Sequence, residues 1–134
     1  MNDCIFCKII KGEIPCEKVF EDDTTFAFLD RSPVNHGHTL VIHKHHHADI
    51  FDTPEHDLAD LFRTAKKMSA AVMKATKCDG INIGMNNKPA AGQTVFHAHV
   101  HVIPRIAGDG FKLWPQKEST TEQRVKTAAA IKQF

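Results

Sequence analysis

The segment Phe96-His97-Ala98-His99-Val100-His101-Val102-Ile103 constrains this chain more than any other. Its three imidazoles recur every second residue, separated by small or β-branched apolar side chains, and successive side chains of a strand point to opposite faces. The pattern predicts a half-buried strand with His97, His99 and His101 on one face. Imidazole changes charge near neutral pH and serves as base, nucleophile or metal ligand. A solvated polar face accounts for one histidine, whereas three in register point to a site. Side chains two apart on a strand are separated by about 6.6 Å, so the outer pair lies roughly 13 Å apart at Cα. All three cannot attack one atom. A division of labour follows, with His99 at the reacting centre and His97 and His101 beside it. A neutral imidazole nitrogen is a competent nucleophile near pH 7, and phosphorus is a plausible target.

The 134 residues suit one domain, 1–134, with a core over 4–106 and a tail over 107–134 that is too poor in apolar residues to fold separately. Seventeen basic residues against sixteen acidic ones, with no long Lys/Arg cluster, argue against a nucleic-acid or membrane surface and for a small diffusible ligand. Met1-Asn2-Asp3-Cys4 has no leader character, and no apolar run approaches the about 18 residues that span a bilayer, so a cytoplasmic location is expected. There the four cysteines stay reduced, and Cys4-x-x-Cys7 means metal or redox chemistry. Redox use would place the pair at a helix start within a strand-helix-strand unit. This pair precedes every predicted strand, which favours metal. Cys16 and Cys78 read as small apolar fillers.

Cys4 to Lys11 reads as a helical turn closed by Gly12. Residues 18–22 and 24–30 read as a hairpin about Asp22-Asp23, and 38–43 as a third strand. Thr53-Pro54-Glu55 suits a helix start, with Thr53 as N-cap and Pro54 at the first helical position. Leu58, Leu61, Phe62, Ala65, Met68, Ala71 and Val72 then form an apolar stripe running to about Ala75, in which methionine is core filler. Residues 81–86 supply a fourth strand and the histidine segment the fifth. The fold class is therefore α+β: a five-stranded antiparallel sheet with one long helix and a short N-terminal helix. Residues 121–134 are compatible with a helix but weakly amphipathic, and their structure is left open.

Pro89 to Thr94 forms a small-residue loop running into the histidine strand. Its backbone N–H groups, the Gln93 amide and the Thr94 hydroxyl can hold phosphate oxygens. Together with Cys4-Ile5-Phe6-Cys7-Lys8-Ile9-Ile10, Ala27-Phe28-Leu29-Asp30, Gly37-His38-Thr39-Leu40-Val41-Ile42 and Ala91-Gly92-Gln93-Thr94-Val95-Phe96, the His-x-His-x-His core resembles the histidine triad (HIT) family of nucleotide hydrolases and transferases. The resemblance spans roughly residues 4 to 106. It implies a purine nucleotide pocket of AMP or GMP type, in which Asp30 accepts from the ribose hydroxyls and His38 and Asn86 lie near the phosphate. Gln93 and Thr94 would bind phosphate oxygens, His99 would attack, and His101 would donate to phosphate. The implied reaction is in-line displacement at the α-phosphorus of phosphoramidates or dinucleoside polyphosphates, through a nucleotidyl-histidine. It also implies a homodimer.

Cys4, Cys7, His46 and His97 form a two-cysteine, two-histidine set of the kind zinc accepts in closed structural sites, and some family members carry zinc at the matching positions. Spacing alone leaves His43, His45 and His47 as alternatives to His46. Lys88 stands where many relatives have glycine, which suggests a locally different loop. If it points inward, its charge would favour polyphosphates. His43 stands where proline is common. Two rival readings compete with covalent catalysis: a metal-dependent hydrolase using triad histidines as ligands, and a non-enzymatic nucleotide-binding or metal-binding adaptor.

Overall fold

A computed structural model describes residues 3–134. Its elements are α1 (Ile5–Ile10), β1 (Lys18–Glu21), β2 (Thr25–Leu29), β3 (Thr39–His43), α2 (Glu55–Thr76), β4 (Gly80–Gly84), a 3-10 turn (Pro89–Ala91), β5 (His99–Arg105) and α3 (Thr121–Ile131). The strands form one antiparallel sheet in the order β1-β2-β3-β5-β4. The expected five-stranded α+β architecture is present.

Alternation along β3 and β5 decides what lies on each face. Val41 pairs with Val100, while Leu40 pairs with His101 and Ile42 with His99. One face therefore carries Val41, Val100, Val102 and Ala27, which pack against Leu61, Ala65, Met68 and Val72 of α2. The other carries Leu40, Ile42, Phe26 and Phe28, packed against Phe6 and Ile9 of α1. A one-residue slip of β5 would drive both imidazoles into the apolar layer under α2. Fully burying a side chain such as Leu61, at 0% exposure, contributes about 1.5–3 kcal/mol, so this register is strongly specified.

The helix stripe is narrower than its sequence suggests, because Phe62 and Ala71 are exposed. α2 also begins one residue later than expected. Pro54 occupies the N-cap without a side-chain bond, and the Thr53 hydroxyl donates instead to the Asp49 carbonyl at 2.6 Å. At its other end, Gly37 (φ +102°) lets the chain pass against α2, where an added Cβ would come within 2.6 Å of Thr76 Cγ2. The hairpin turn is held by Asp22, whose carboxylate accepts from the Thr24 and Thr25 backbone N–H groups. A bulge interrupts β1 between Lys18 and Phe20. The C-terminal stretch is helical after all. Thr120 and Gln123 form a capping box at the start of α3, all of whose side chains are exposed. No helix among the described residues is long and apolar enough to cross a membrane.

Candidate active site and metal centre

β5 begins at His99, so Phe96 to Ala98 are not strand as the alternation suggested. The chain bends there, and His97 turns toward α1 while His99 and His101 stay together, with ring centroids 5.0 Å apart. A pocket of about 330 Å³ opens over these two rings. Its apolar wall is Ile5, Phe6, Ile9, Ile14, Phe28 and Leu40, and its polar edge is Asp30, Arg31, Thr94, His99 and His101. Phe6 stands edge-on to His99 with centroids 5.1 Å apart. No sequence signal marks α1 as a wall of this pocket, although Phe6 lies between Cys4 and Cys7.

Hydrogen bonding fixes the proton on each imidazole. His99 Nδ1 lies 2.7 Å from the His97 carbonyl oxygen, which can only accept. Nδ1 therefore carries the hydrogen and Nε2 is left with a lone pair. Burial pushes His99 below the ordinary imidazole range, against the opposing pull of that bond and of Asp30, so the ring is neutral near pH 7. For His101 the assignment comes through a relay. The Val34 N–H donates to His38 Nδ1 at 3.1 Å, so His38 Nε2 bears the hydrogen and donates to His101 Nδ1 at 2.9 Å. His101 keeps its own hydrogen on Nε2. A lone-pair nitrogen and an N–H donor thus stand side by side, the arrangement needed to attack a centre and hydrogen-bond its oxygens. Asp30, His38 and His101 are close enough to be considered as a metal set, but His38 Nδ1 already accepts a backbone N–H and its Nε2 donates to His101, which makes them a hydrogen-bond chain.

Asp30 combines two roles. One carboxylate oxygen accepts from the Ser32 N–H at 2.8 Å, as in a turn, and the other lies 3.6 Å from His38 Nε2 at the pocket edge. Two expected phosphate-side residues lie elsewhere. Gln93 is buried and its amide is fully engaged, donating to the Ala48 and Val95 carbonyls and accepting from the Lys88 N–H. It braces the loop and does not line the pocket. Asn86 is an exposed residue beyond the end of β4, beside Gly92, and is also off the pocket wall. Thr94 does line it. Lys88 adopts φ +75° and ψ 154°, a region normally reserved for glycine, so the backbone is strained at this position. Its ammonium group does not point inward but pairs with Asp49 at 2.7 Å and lies over Phe51.

Beside the pocket, Cys4, Cys7, His46 and His97 bring one ligand atom each to within 4.8 Å of one another. The Nδ1 atoms of His46 and His97 are 3.2 Å apart, and three of the four sulfur-to-nitrogen separations are 3.3, 3.5 and 3.6 Å. A tetrahedral ion with N at about 2.0–2.1 Å and S at about 2.3 Å requires edges of about 3.3 and about 3.6 Å, so the donor set fits. His97 Nε2 donates to the His43 carbonyl at 2.8 Å, which leaves Nδ1 as the ligand atom. The Cys7 N–H donates to Cys4 Sγ at 3.4 Å, tying α1 to the same centre. Of the candidates in the histidine run, His46 is the one that reaches the cysteines. His45 and His47 turn to Asp57, and the fully engaged His43 contributes its backbone carbonyl.

The fold and this site define a member of the histidine triad class. The HIT domain family model matches residues 11–108, and the chain belongs to that family. It is 47% identical over 108 residues to a protein named adenylylsulfatase HINT3 from Arabidopsis thaliana, covering 81% of this chain and 55% of that protein. The chain thus spans little more than half of that relative's length. It is 43% identical over 118 residues to a protein named adenosine 5'-monophosphoramidase HNT1 from Saccharomyces cerevisiae, covering 87% of this chain and 72% of that one. Among solved structures it resembles a Zn-bound histidine triad family protein from Mycobacterium smegmatis, with a TM-score of 0.80 and 36% identity over 98% of this chain and 95% of the other.

Two predictions follow from the site's local chemistry. His101 is pushed down to about 4 by burial, then by neighbouring His99 and His38. In the unfolded chain it titrates near 6.5, so between about pH 6.5 and 4 the unfolded state binds the proton first. Stability should therefore fall as pH drops through that window, and denaturant midpoints should show a shallower fall in His101→Asn. For Lys88→Gly, relief of roughly 1–3 kcal/mol of backbone strain should outweigh the loss of the pair to buried Asp49, whose carboxylate keeps the Phe51 and Asp52 N–H groups, and denaturant midpoints should rise. The ratio of phosphoramidate to dinucleoside polyphosphate cleavage should stay unchanged.

Proposed function

We propose that this protein hydrolyses purine nucleoside phosphoramidates or dinucleoside polyphosphates at the α-phosphorus through a nucleotidyl-histidine on His99. The observation that carries the reading is the His99 ring: neutral, proton on Nδ1, lone pair on Nε2, at the floor of a pocket with an apolar side for a base and a polar side for ribose and phosphate. The His99 Nε2 lone pair attacks phosphorus and the bond to the leaving amine or nucleotide breaks, its electron pair leaving with that group. Water then attacks the same phosphorus, the P–N bond to His99 breaks, and the monophosphate is released. His101 Nε2–H and the Thr94 hydroxyl are the donors to phosphoryl oxygens, and Asp30 accepts from the ribose hydroxyls. The names of the plant and yeast relatives support an adenosine nucleotide as substrate class.

Zinc at Cys4, Cys7, His46 and His97 is the structural companion of this chemistry. The donor spacing supports it, as does the zinc of the mycobacterial relative. The ion would supply a closed cross-link between α1 and the segment before β5, and it would carry no step of the reaction. The reading includes a homodimer, supported by the unpaired rim of β4 and by exposed Phe62, Leu113 and Trp114, and a cytoplasmic setting, supported by four free thiols.

Covalent catalysis is tested with His99→Ala beside wild type on a panel of phosphoramidates, dinucleoside polyphosphates and nucleotide sugars. Turnover should fall at least about 10³-fold in the variant, and rapid acid quench of wild type should trap the nucleotide on His99. Undiminished activity in the variant, or activity that a chelator removes while the fold persists, would overturn this reading in favour of metal catalysis. Elemental analysis should find about one zinc per chain. Cys4→Ser should lose it and melt earlier, with a smaller effect on turnover. Equal zinc in both proteins would rule out the ligand assignment.

A further inference from the structure

The triad and the cysteine-bearing centre leave most of the histidine run unused. His43, His45 and His47, joined by His56 from the first turn of α2, converge on the carboxylate of Asp57. His47 Nε2 lies 2.7 Å and His45 Nδ1 3.3 Å from Asp57 Oδ2, and His56 Nδ1 lies 2.5 Å from Oδ1. Four imidazoles around one buried acid exceed what is needed to satisfy it, since Asp57 is already bonded at both oxygens by His47 and His56 alone.

The four rings are not equivalent. The His45 N–H donates to His43 Nδ1 at 3.0 Å, so a neutral His43 must keep its hydrogen on Nε2, which faces Asp57 at 3.5 Å and Asp60 at 3.3 Å. His43 therefore holds the carboxylates in place and has no lone pair to offer there. Among the described residues nothing fixes the second ring nitrogen of His45, His47 or His56. Each can move its hydrogen to that nitrogen and present a lone pair toward Asp57 without changing charge. We infer that Asp57, His45, His47 and His56 form a second site for a divalent transition metal, of imidazole–carboxylate type and distinct from the centre at Cys4, Cys7, His46 and His97.

The geometry supports such a site on three counts. The separations from the carboxylate oxygens, 2.5 to 3.3 Å, are at or somewhat below the about 3.3 Å edge of a tetrahedron of N and O ligands, so each imidazole stands within ligand reach of the acid. Asp57 and His47 form a largely buried floor, with side chains 4% and 17% exposed, while His45 and His56, at 72% and 80%, are arms that an incoming ion can reach. The donor set, nitrogen with one carboxylate and no sulfur, suits zinc, nickel or copper(II) and not a soft monovalent ion. An ion here would also stiffen the backbone that holds the triad, because the His43 carbonyl accepts from His97 Nε2 and the His47 carbonyl accepts from the Ala98 N–H at 2.7 Å.

The test uses the full chain without a polyhistidine tag. As-purified protein is titrated with Ni²⁺ in a calorimeter, and a parallel sample is loaded with Co²⁺, whose thiolate charge-transfer absorption reports the cysteine centre alone. Wild type should take up one equivalent of Ni²⁺ without change in that thiolate band. His45→Ala/His56→Ala, which alters only exposed side chains, should lose at least about tenfold in affinity for it while keeping the band and the turnover. Asp57→Asn, a second probe, should weaken the same equivalent. No nickel uptake by wild type, uptake that perturbs the thiolate band, or equal affinity in the double variant would each overturn the second site. A missing thiolate band with intact nickel uptake would count against the zinc reading alone.

Discussion

Most of the site hangs on one residue, His97, which bonds in three directions. Its ring donates through Nε2 to the β3 end at His43, presents Nδ1 to the cysteine centre, and its carbonyl accepts from His99 Nδ1. The last bond sets the tautomer of the nucleophile proposed here, and the first two fix the carbonyl that sets it. The proton position on His99 is thereby coupled to the cluster of Cys4, Cys7, His46 and His97 beside the pocket. This also explains why β5 starts at His99. A residue with its ring turned into α1 and its carbonyl aimed at a side chain cannot also sit in the regular ladder of a strand.

The short α1 depends on what anchors it. Six residues form too small a helix to be stable alone. Phe6 and Ile9 anchor it on the second core layer, and Cys4 and Cys7 draw it toward the sheet. Because Phe6 and Ile5 are also pocket wall, whatever pins the helix shapes the pocket. Packing on the α2 face is different in kind. It is continuous, apolar and independent of any ion, so the sheet is held firmly there while the opposite face is left to carry polar groups.

Much of this was legible in the sequence, for identifiable reasons. Period-two alternation places His99 and His101 together, recurrence at three and four finds most of the core face of α2, and the Cys-x-x-Cys spacing with its distant histidines identifies the metal-type cluster. Local patterns cannot show where a side chain's hydrogen bonds end. Gln93 looked like a phosphate donor because of its loop, yet its amide is used up bracing Ala48, Val95 and Lys88. Asn86 was assigned to the pocket by resemblance and lies outside it. The stripe on α2 was overextended because apolar spacing does not say how far a helix is covered, and Phe62 falls outside the covered arc. α3 stays open in the sequence although Thr120-x-x-Gln123 is a start signal, because the helix is weakly amphipathic and buries none of its side chains. His43, His45 and His47 could not be ranked from order alone, since the acid that sorts them lies in α2, ten residues and more away.

The bulge in β1 has a bearing on assembly. Sheets can recruit further strands at either rim, and a bulge beside charged residues spoils the straight row of N–H and C=O groups that an incoming strand would need. Lys18 and Glu21 sit on that rim. The two margins of the sheet therefore differ: a bulge and charged side chains blunt the β1 rim against an incoming strand, whereas β4 pairs with β5 in unbroken register.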